Sequence, residues 1–162
     1  MAKTAIVFYS RDGSTRTAAG VLAERLGAAT VELTDARRSR SFLLSGFRAK
    51  TGRRVRLASD PWSQVTEYDQ LVLAAPIWAG SGNPAMNAFL DGANLADKTI
   101  YLLTVQADPG HGQAKEVLAH YSRRVQECGG SVGGTRAITG ASPGRTASED
   151  DIRAALDGWE IA

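Results

Sequence analysis

The sequence predicts a doubly wound α/β fold, in which a five-stranded parallel sheet carries helices on both faces. Short, continuous apolar runs bounded by turn residues are typical of strands that are covered on both sides. Stretches with helical spacing of apolar residues alternate with these runs, and such alternation implies a parallel sheet with right-handed crossovers. A length of 162 residues suits one domain of common size. We therefore expect residues 1–162 to form a single domain.

The first two strands flank a helix in the first 33 residues. Residues 3–9 form a buried-strand pattern, and residues 15–26 carry apolar side chains at helical spacing. Gly27 follows, where a helix stop is expected. A short second strand is predicted at residues 30–33, and the stretch 36–62 receives no assignment.

The third strand is predicted at residues 71–75, and a helix should follow it. Asn83 is a good N-cap, and Pro84 is tolerated at the first helical position because its missing N–H would have no partner there. The fourth strand is predicted at residues 99–105, followed by a helix that places Val117, Leu118 and Tyr121 on one side.

The chain should close with a fifth strand and a last helix. Residues 131–138 give a weaker strand pattern because it contains Gly133 and Gly134. The last helix should begin near Ser148, whose side chain can cap the N–H of Asp151. Its core-facing residues would be Ile152, Leu156 and Trp159.

Composition and charge narrow the classes of protein. The first apolar run, of about five residues, is far too short for a signal segment or a membrane span, so we expect a cytoplasmic protein and no integral membrane segment. The single cysteine excludes an internal disulfide. The two histidines and one cysteine are too few for a structural zinc site.

Loops that leave the carboxyl ends of parallel strands converge on one crevice, where ligands bind. The loop at residues 10–15 offers hydroxyls, flexible amides and the positive end of a helix dipole, which together suit a phosphate. It matches neither the phosphate-loop pattern with its lysine nor the dinucleotide fingerprint with three glycines. A plain strand-to-helix turn, capped by Asp12 or Ser14, is the alternative.

The second loop makes the pattern more specific. Residues 76–80 read Pro-Ile-Trp-Ala-Gly, and with the first loop they resemble the flavin loops of the flavodoxin family. The resemblance extends over nearly the whole chain in element order, loop positions and size. It implies the flavodoxin strand order 2-1-3-4-5 and FMN as a non-covalently bound cofactor.

The resemblance assigns cofactor-binding roles loop by loop. In the first loop the phosphate-binding positions are Ser10, Gly13, Ser14 and Thr15, with Arg11 and Asp12 beside them. In the second, Trp78 would stack on the isoalloxazine ring and Gly80 would allow a backbone adjustment on flavin reduction; Pro76, Ile77 and Ala79 complete this loop. The third loop, which closes over the pyrimidine edge, contributes Gln106, Ala107, Asp108, Gly110 and His111. No catalytic residue and no metal ligand is assigned. Alternatives are a Trp78 packed under a loop, a solvent-exposed His111 and a solvated Arg11.

The sequence departs from the family pattern at two points within these loops. Asp12 stands where a serine or threonine is usual, which puts a carboxylate near the phosphate. The third loop lacks the tyrosine that covers the outer flavin face in many electron carriers. A more open ring face would suit access by a substrate.

A basic segment interrupts an otherwise acidic chain. Residues 37–56 hold 8 of the 19 basic residues and none of the 17 acidic ones. These basic residues are Arg37, Arg38, Arg40, Arg48, Lys50, Arg53, Arg54 and Arg56. An apolar patch at residues 41–47 suggests a short amphipathic helix near the crevice. The segment is either a solvated excursion or a docking surface for an acidic partner or NADPH. A contact for an anionic membrane or nucleic acid is a third interpretation, which the composition of the segment favours less.

Two functions follow. The first is an FMN-dependent redox protein, either an electron carrier or a small reductase acting on a quinone-like or other acceptor, with a partner protein or NAD(P)H as electron source. The alternative is an interaction or regulatory module of the same fold without flavin, with residues 37–56 as its contact surface.

Overall fold

The computed structural model describes residues 2–36, 55–78 and 82–162 of the 162-residue chain. Its elements, in chain order, are β1 (Thr4–Phe8), α1 (Ser14–Leu26), β2 (Ala29–Glu32), α2 (Pro61–Gln64), β3 (Gln70–Pro76), α3 (Pro84–Gly92), β4 (Thr99–Gln106), α4 (Ala114–Glu127), β5 (Ser131–Thr139) and α5 (Glu149–Leu156). All five predicted strands are present, as are the four helices predicted within the described residues. The short helix α2, in the unassigned stretch, was not predicted.

The strands form one parallel sheet in the order β2-β1-β3-β4-β5. This confirms the predicted fold class. Neighbouring residues of the three central strands face opposite sides of the sheet: Val7 packs with α3 and α4, for example, whereas Ile6 packs with α1 and α5. Both sides are buried, which explains why these strands read as continuous apolar runs rather than as alternating patterns.

The helix ends follow their predicted capping residues in three cases. Gly27 ends α1 in the left-handed conformation, with φ 61°, and its N–H donates to the carbonyl of Ala23. The side chain of Asn83 accepts hydrogen bonds from the N–H groups of Ala85 and Met86. Ser148 Oγ accepts one from Asp151 N at 3.2 Å. Side-chain chemistry local to each helix end therefore determines these boundaries.

The weak pattern of the fifth strand has a structural counterpart. The register of β4 and β5 shifts between Ile100 and Tyr101, which pair with Val132 and Gly134, so Gly133 is left as an extra residue. A Cβ at Gly133 would lie 2.8 Å from the Tyr101 ring. The glycine is thus required by the close approach of the tyrosine.

The described residues on the two sides of the stretch 37–54 pair with each other. Asp35 and Leu57 form an antiparallel bridge, with Ala36 N–H donating to the carbonyl of Arg56 at 2.8 Å. The predicted amphipathic helix at residues 41–47 lies outside the described residues, as does all of the basic segment except residues 55 and 56. Over residues 2–36, 55–78 and 82–162, none of the helices is both long and apolar enough to cross a membrane.

Candidate functional site

A cavity of about 330 Å³ opens at the carboxyl ends of β1, β3 and β4. The strand order reverses between β1 and β3, because β1 leads outward to β2 while β3 leads to β4 and β5. Ligands in open α/β sheets bind at such a switch point. The cavity is lined by Ser10, Arg11, Asp12, Ser14, Thr15, Pro76, Ile77, Trp78, Val105, Gln106, Ala107, Asp108, Gln113, Gly140, Ala141, Pro143 and Arg145.

The first loop presents the start of α1 to this cavity. Gly13 is the N-cap residue, with φ 103°, and no side chain caps the helix. The alternative of a turn capped by Asp12 or Ser14 is therefore not what the structure has: a left-handed glycine ends the loop, and the Ser14 hydroxyl accepts a hydrogen bond from the backbone of Ala147 instead. Amides of the first helical turn remain available to an anion, since side chains do not use them.

Ser10 organises the same loop. Its Oγ accepts a hydrogen bond from Gly13 N–H at 3.2 Å, which closes the turn between β1 and α1. Gly13 itself does not line the cavity, whereas Ser14 and Thr15 do, and both are buried. The loop thus places hydroxyl groups and helix amides on one wall.

Arg11 and Trp78 meet across the first and second loops. The Arg11 guanidinium carbon lies 5.6 Å from the centroid of the Trp78 ring, and its Nε lies 3.9 Å from Asp12 Oδ1. Tyr9 packs edge-on against Trp78 with ring centroids 5.3 Å apart. Trp78 therefore lines the cavity with its orientation restrained by two neighbours and does not lie simply under a loop.

The second loop continues directly from β3. Pro76 ends the strand, and Ile77 N–H donates to the carbonyl of Val105 at 3.3 Å, so this part of the loop is held against β4. Pro76, Ile77 and Trp78 all line the cavity. The predicted residues Ala79 and Gly80 lie outside the described residues.

The third predicted loop begins with a buried amide. Gln106 is 8% exposed and lines the cavity; its Nε2 donates to the carbonyl of Asp108 at 3.3 Å. Its Oε1 is buried and has no hydrogen-bond partner among the described residues. A buried acceptor without a partner costs free energy, so this oxygen favours a ligand that donates a hydrogen bond.

The carboxylate of Asp108 shapes the rest of that loop. It accepts hydrogen bonds from Gly110 N–H at 2.9 Å and from Gly112 N–H at 3.1 Å. These backbone donors lower the pKa of Asp108 below its usual value. Gly110 is thus part of the loop's internal bonding and does not line the cavity.

His111 is also placed away from the cavity wall. Its Nε2 lies 2.9 Å from Thr139 Oγ1 at the end of β5, and its backbone has φ 52°. The ring is half-buried against β5, which differs from both a cofactor-facing and a solvent-exposed histidine.

A further wall of the cavity comes from the loop after β5, which the sequence reasoning missed. Gly140, Ala141, Pro143 and Arg145 line it, as do Val105 and Gln113 from β4 and the loop before α4. The composition of residues 140–146 was an available signal, since this loop has the same numbers of glycines, serines and prolines as residues 76–82 and also follows a parallel strand.

Comparison with known proteins gives structural matches only. No family model and no curated protein matches the sequence. A protein from Bacteroides uniformis that is described as a flavoprotein has a TM-score of 0.74 at 22% identity, with 94% of this chain and 96% of that chain covered.

Two further solved structures are similar at lower identity. A flavoprotein from Lactobacillus acidophilus, in complex with FMN, has a TM-score of 0.65 at 17% identity, over 85% of this chain and 93% of that one. Oxidised flavodoxin 2 from Bacillus cereus has a TM-score of 0.60 at 19% identity, over 95% of this chain and 92% of that one. Strand order, helix placement and these matches agree: the chain has the flavodoxin-like fold.

Proposed function

We propose that the protein binds FMN non-covalently in the cavity and uses it for redox chemistry. The observation that carries this proposal is the convergence of three strand-to-helix loops on one cavity at the switch point of a flavodoxin-like sheet. The FMN complex of the Lactobacillus acidophilus flavoprotein, which has the same fold, supports the choice of cofactor.

The phosphate of FMN would lie at the start of α1. The helix has no side-chain cap, so its first amides and the positive end of its dipole suit an anion. Ser10, Ser14 and Thr15 bring hydroxyl groups to the same wall. An anion with several acceptor oxygens matches this set of donors.

The ring system would lie between the second and third loops. Ile77 and Trp78 offer an apolar and aromatic wall, and Gln106 Oε1 offers a buried acceptor. The isoalloxazine is a flat aromatic system with an imide N–H on its pyrimidine edge, so the lining residues present suit it. Ala107 and Asp108 would border that edge, and the residues present therefore fit the group.

FMN supplies the electron transfer when bound, and the chain's own residues bind it, orient it and set its electrostatic surroundings. Neither hydride nor electron transfer to the flavin requires a protein nucleophile, so we assign no catalytic residue. We propose either electron transfer to a partner protein or reduction of a small quinone-like acceptor, with NAD(P)H or a redox protein as donor.

The cofactor is tested by mixing purified protein with excess FMN, removing unbound flavin by desalting and recording the visible spectrum. The expected result is retained flavin with shifted bands, close to one per chain. Loss of all flavin, with no binding at micromolar concentration by calorimetry, would overturn the proposal and favour the flavin-free interaction module.

Two threonines in α1 make a matched pair for the same assay. Thr15 lines the cavity, whereas Thr17 does not. The Thr17 hydroxyl donates to the carbonyl of Gly13 at 3.1 Å. We expect Thr15→Val to weaken FMN binding by roughly fivefold, since one hydrogen bond to the phosphate is lost. Thr17→Val should retain the affinity. Equal affinities for both variants would contradict a phosphate site at the start of α1.

The redox role is tested by adding NADH or NADPH to the FMN-loaded protein without oxygen. Loss of the oxidised flavin absorbance within seconds, followed by its return on adding a quinone, would support a reductase. Reduction by dithionite but not by either nucleotide would support a carrier that depends on a partner protein.

A further inference from the structure

The first loop and the loop after β5 are bonded to each other. Ser14 Oγ accepts a hydrogen bond from Ala147 N–H at 2.9 Å, and Thr146 Oγ1 donates to the carbonyl of Asp12. A Cβ at Gly13 would lie 2.6 Å from Thr146 Oγ1. The loop after β5, residues 140–147, which we call the fifth-strand loop, therefore packs against the loop at the start of α1.

This contact brings Arg145 into the cavity wall. Arg145 directly precedes Thr146 and lines the cavity, and its own N–H donates to the carbonyl of Ser142 at 3.0 Å, which fixes the turn that carries it. Its side chain is exposed and forms no ion pair within residues 2–36, 55–78 and 82–162. The positive charge of the Arg145 guanidinium is thus not neutralised by an acidic side chain among the described residues.

The charge balance of the first loop shows why this cation matters. Arg11 and Asp12 stand side by side, so their formal charges cancel within the loop. Arg16, in the first turn of α1, is ion-paired with Glu32 and does not line the cavity. A phosphate monoester carries about 1.5 to 2 negative charges near pH 7, and the first loop alone offers it no net positive charge.

We propose that Arg145 is a ligand of the terminal phosphate of the flavin, supplied by the fifth-strand loop, and that it selects the phosphorylated cofactor over riboflavin. The inference rests on the proposed FMN site and adds a residue outside the three loops from which that site was derived. An arginine reaching a phosphate forms charge-assisted hydrogen bonds, which are shorter and stronger than neutral ones.

The position of Arg145 favours the phosphate over the ring. Thr146 and Ala147, which directly follow Arg145, are bonded to Asp12 and Ser14 of the first loop. The bond to the third loop lies farther from Arg145, at Gly140, whose N–H donates to the carbonyl of Gln106 at 2.8 Å. Arg145 therefore supplies the net positive charge that the first loop lacks.

The test compares the dissociation constants of FMN and riboflavin, measured by quenching of flavin fluorescence at low ionic strength. The proteins are the unaltered chain, Arg145→Gln and Arg145→Lys. Arg123→Gln is the matched control, because Arg123 is an exposed arginine of α4 that does not line the cavity. We expect Arg145→Gln to weaken FMN binding by roughly tenfold and to leave riboflavin binding unchanged. The FMN affinity of Arg145→Lys should lie between those of the unaltered chain and Arg145→Gln, and the affinity of Arg123→Gln should match that of the unaltered chain.

Each other outcome decides a separate point. If the unaltered chain binds neither flavin, the proposed FMN function fails. The assignment of Arg145 to the phosphate is overturned, while the FMN site stands, if the unaltered chain binds FMN and Arg145→Gln binds it equally well. The same conclusion follows if Arg145→Gln weakens the affinities for FMN and riboflavin by the same factor. Urea unfolding of each variant without flavin shows whether folding has changed, and a phosphate-specific loss at an unchanged unfolding midpoint supports the proposal.

Discussion

Ser14 Oγ lies 2.9 Å from the backbone nitrogen of Ala147 and accepts its hydrogen bond, although the two residues are 133 positions apart in the chain. A serine hydroxyl has one donor and two acceptor positions. Ser14 can therefore hold the loop after β5 through its oxygen and still donate its proton to an anion in the cavity. One side chain joins the two loops and lines the proposed phosphate site.

The first prediction concerns this link. Replacing Ser14 with alanine removes the acceptor for Ala147 N–H, and we expect the free energy of unfolding to fall by about 1 kcal/mol. Ser122→Ala is the control, because Ser122 Oγ donates to the carbonyl of Leu118 within α4; its effect should stay within about 0.5 kcal/mol. Urea unfolding measures both. Equal losses would mean that the Ser14 contact contributes nothing specific.

The second prediction compares two glycines of the same region. Gly13 has φ 103°, and an added Cβ would collide with Thr146, whereas Gly20, in the exposed middle of α1, has nothing within 4 Å of an added Cβ. We expect Gly13→Ala to lower the free energy of unfolding by about 1–3 kcal/mol through backbone strain and the collision. Gly20→Ala should raise it by about 0.5–1 kcal/mol, since alanine favours a helix. Thermal unfolding of both variants would reveal the opposite signs, and a stabilised Gly13→Ala would contradict the tight contact between the two loops.

Local patterns in the sequence were sufficient for the framework. The central strands were recognisable because burial on both faces makes them apolar at every position, as in residues 71–75. The ends at Gly27, Asn83 and Ser148 were recognisable because capping depends on one side chain and the few amides next to it. The short helix α2 carried a similar local signal in Asp60 and Pro61, which cap and begin it.

The fifth-strand loop was missed because its role depends on packing between distant segments. It reaches the cavity only because α1 and α5 lie on the same face of the sheet, where Leu22 and Ile152 share one core. Whether a side chain caps α1 could not be decided from the sequence for a related reason. The partner that directs the Ser14 hydroxyl elsewhere is Ala147, which no local pattern connects to residue 14.

The third prediction concerns the start of α3, directly after the second loop. The buried hydroxyl of Tyr121 accepts a hydrogen bond from Asn83 N–H at 2.7 Å. Tyr121→Phe would leave this buried N–H without its acceptor, so we expect a loss of about 1–3 kcal/mol in the free energy of unfolding.

Tyr101→Phe is the matched control for that change. Its hydroxyl accepts from the N–H of Ala162 at the chain end, where the contact is only partly buried and water can replace it. Its loss should stay below about 1 kcal/mol. Chemical denaturation of both variants gives the comparison, and a larger loss for Tyr101→Phe would contradict the assigned role of Tyr121.

The last prediction is a pH dependence at Asp108. Backbone hydrogen bonds from Gly110 and Gly112 lower the pKa of its carboxyl in the folded protein below the unfolded value of about 3.9. A lowered folded pKa adds stability that is fully present above the unfolded pKa and is lost as the pH falls through the folded pKa.

We expect Asp108→Asn and Asp108→Ala to be less stable than the unaltered chain at neutral pH, with the difference shrinking as the pH falls below about 4. Asn keeps one acceptor oxygen for the glycine amides, so at neutral pH the alanine variant should lose more. Urea unfolding midpoints across the acid range provide the measurement. A difference that stays constant down to low pH would show that the Asp108 carboxylate does not stabilise this loop through its charge.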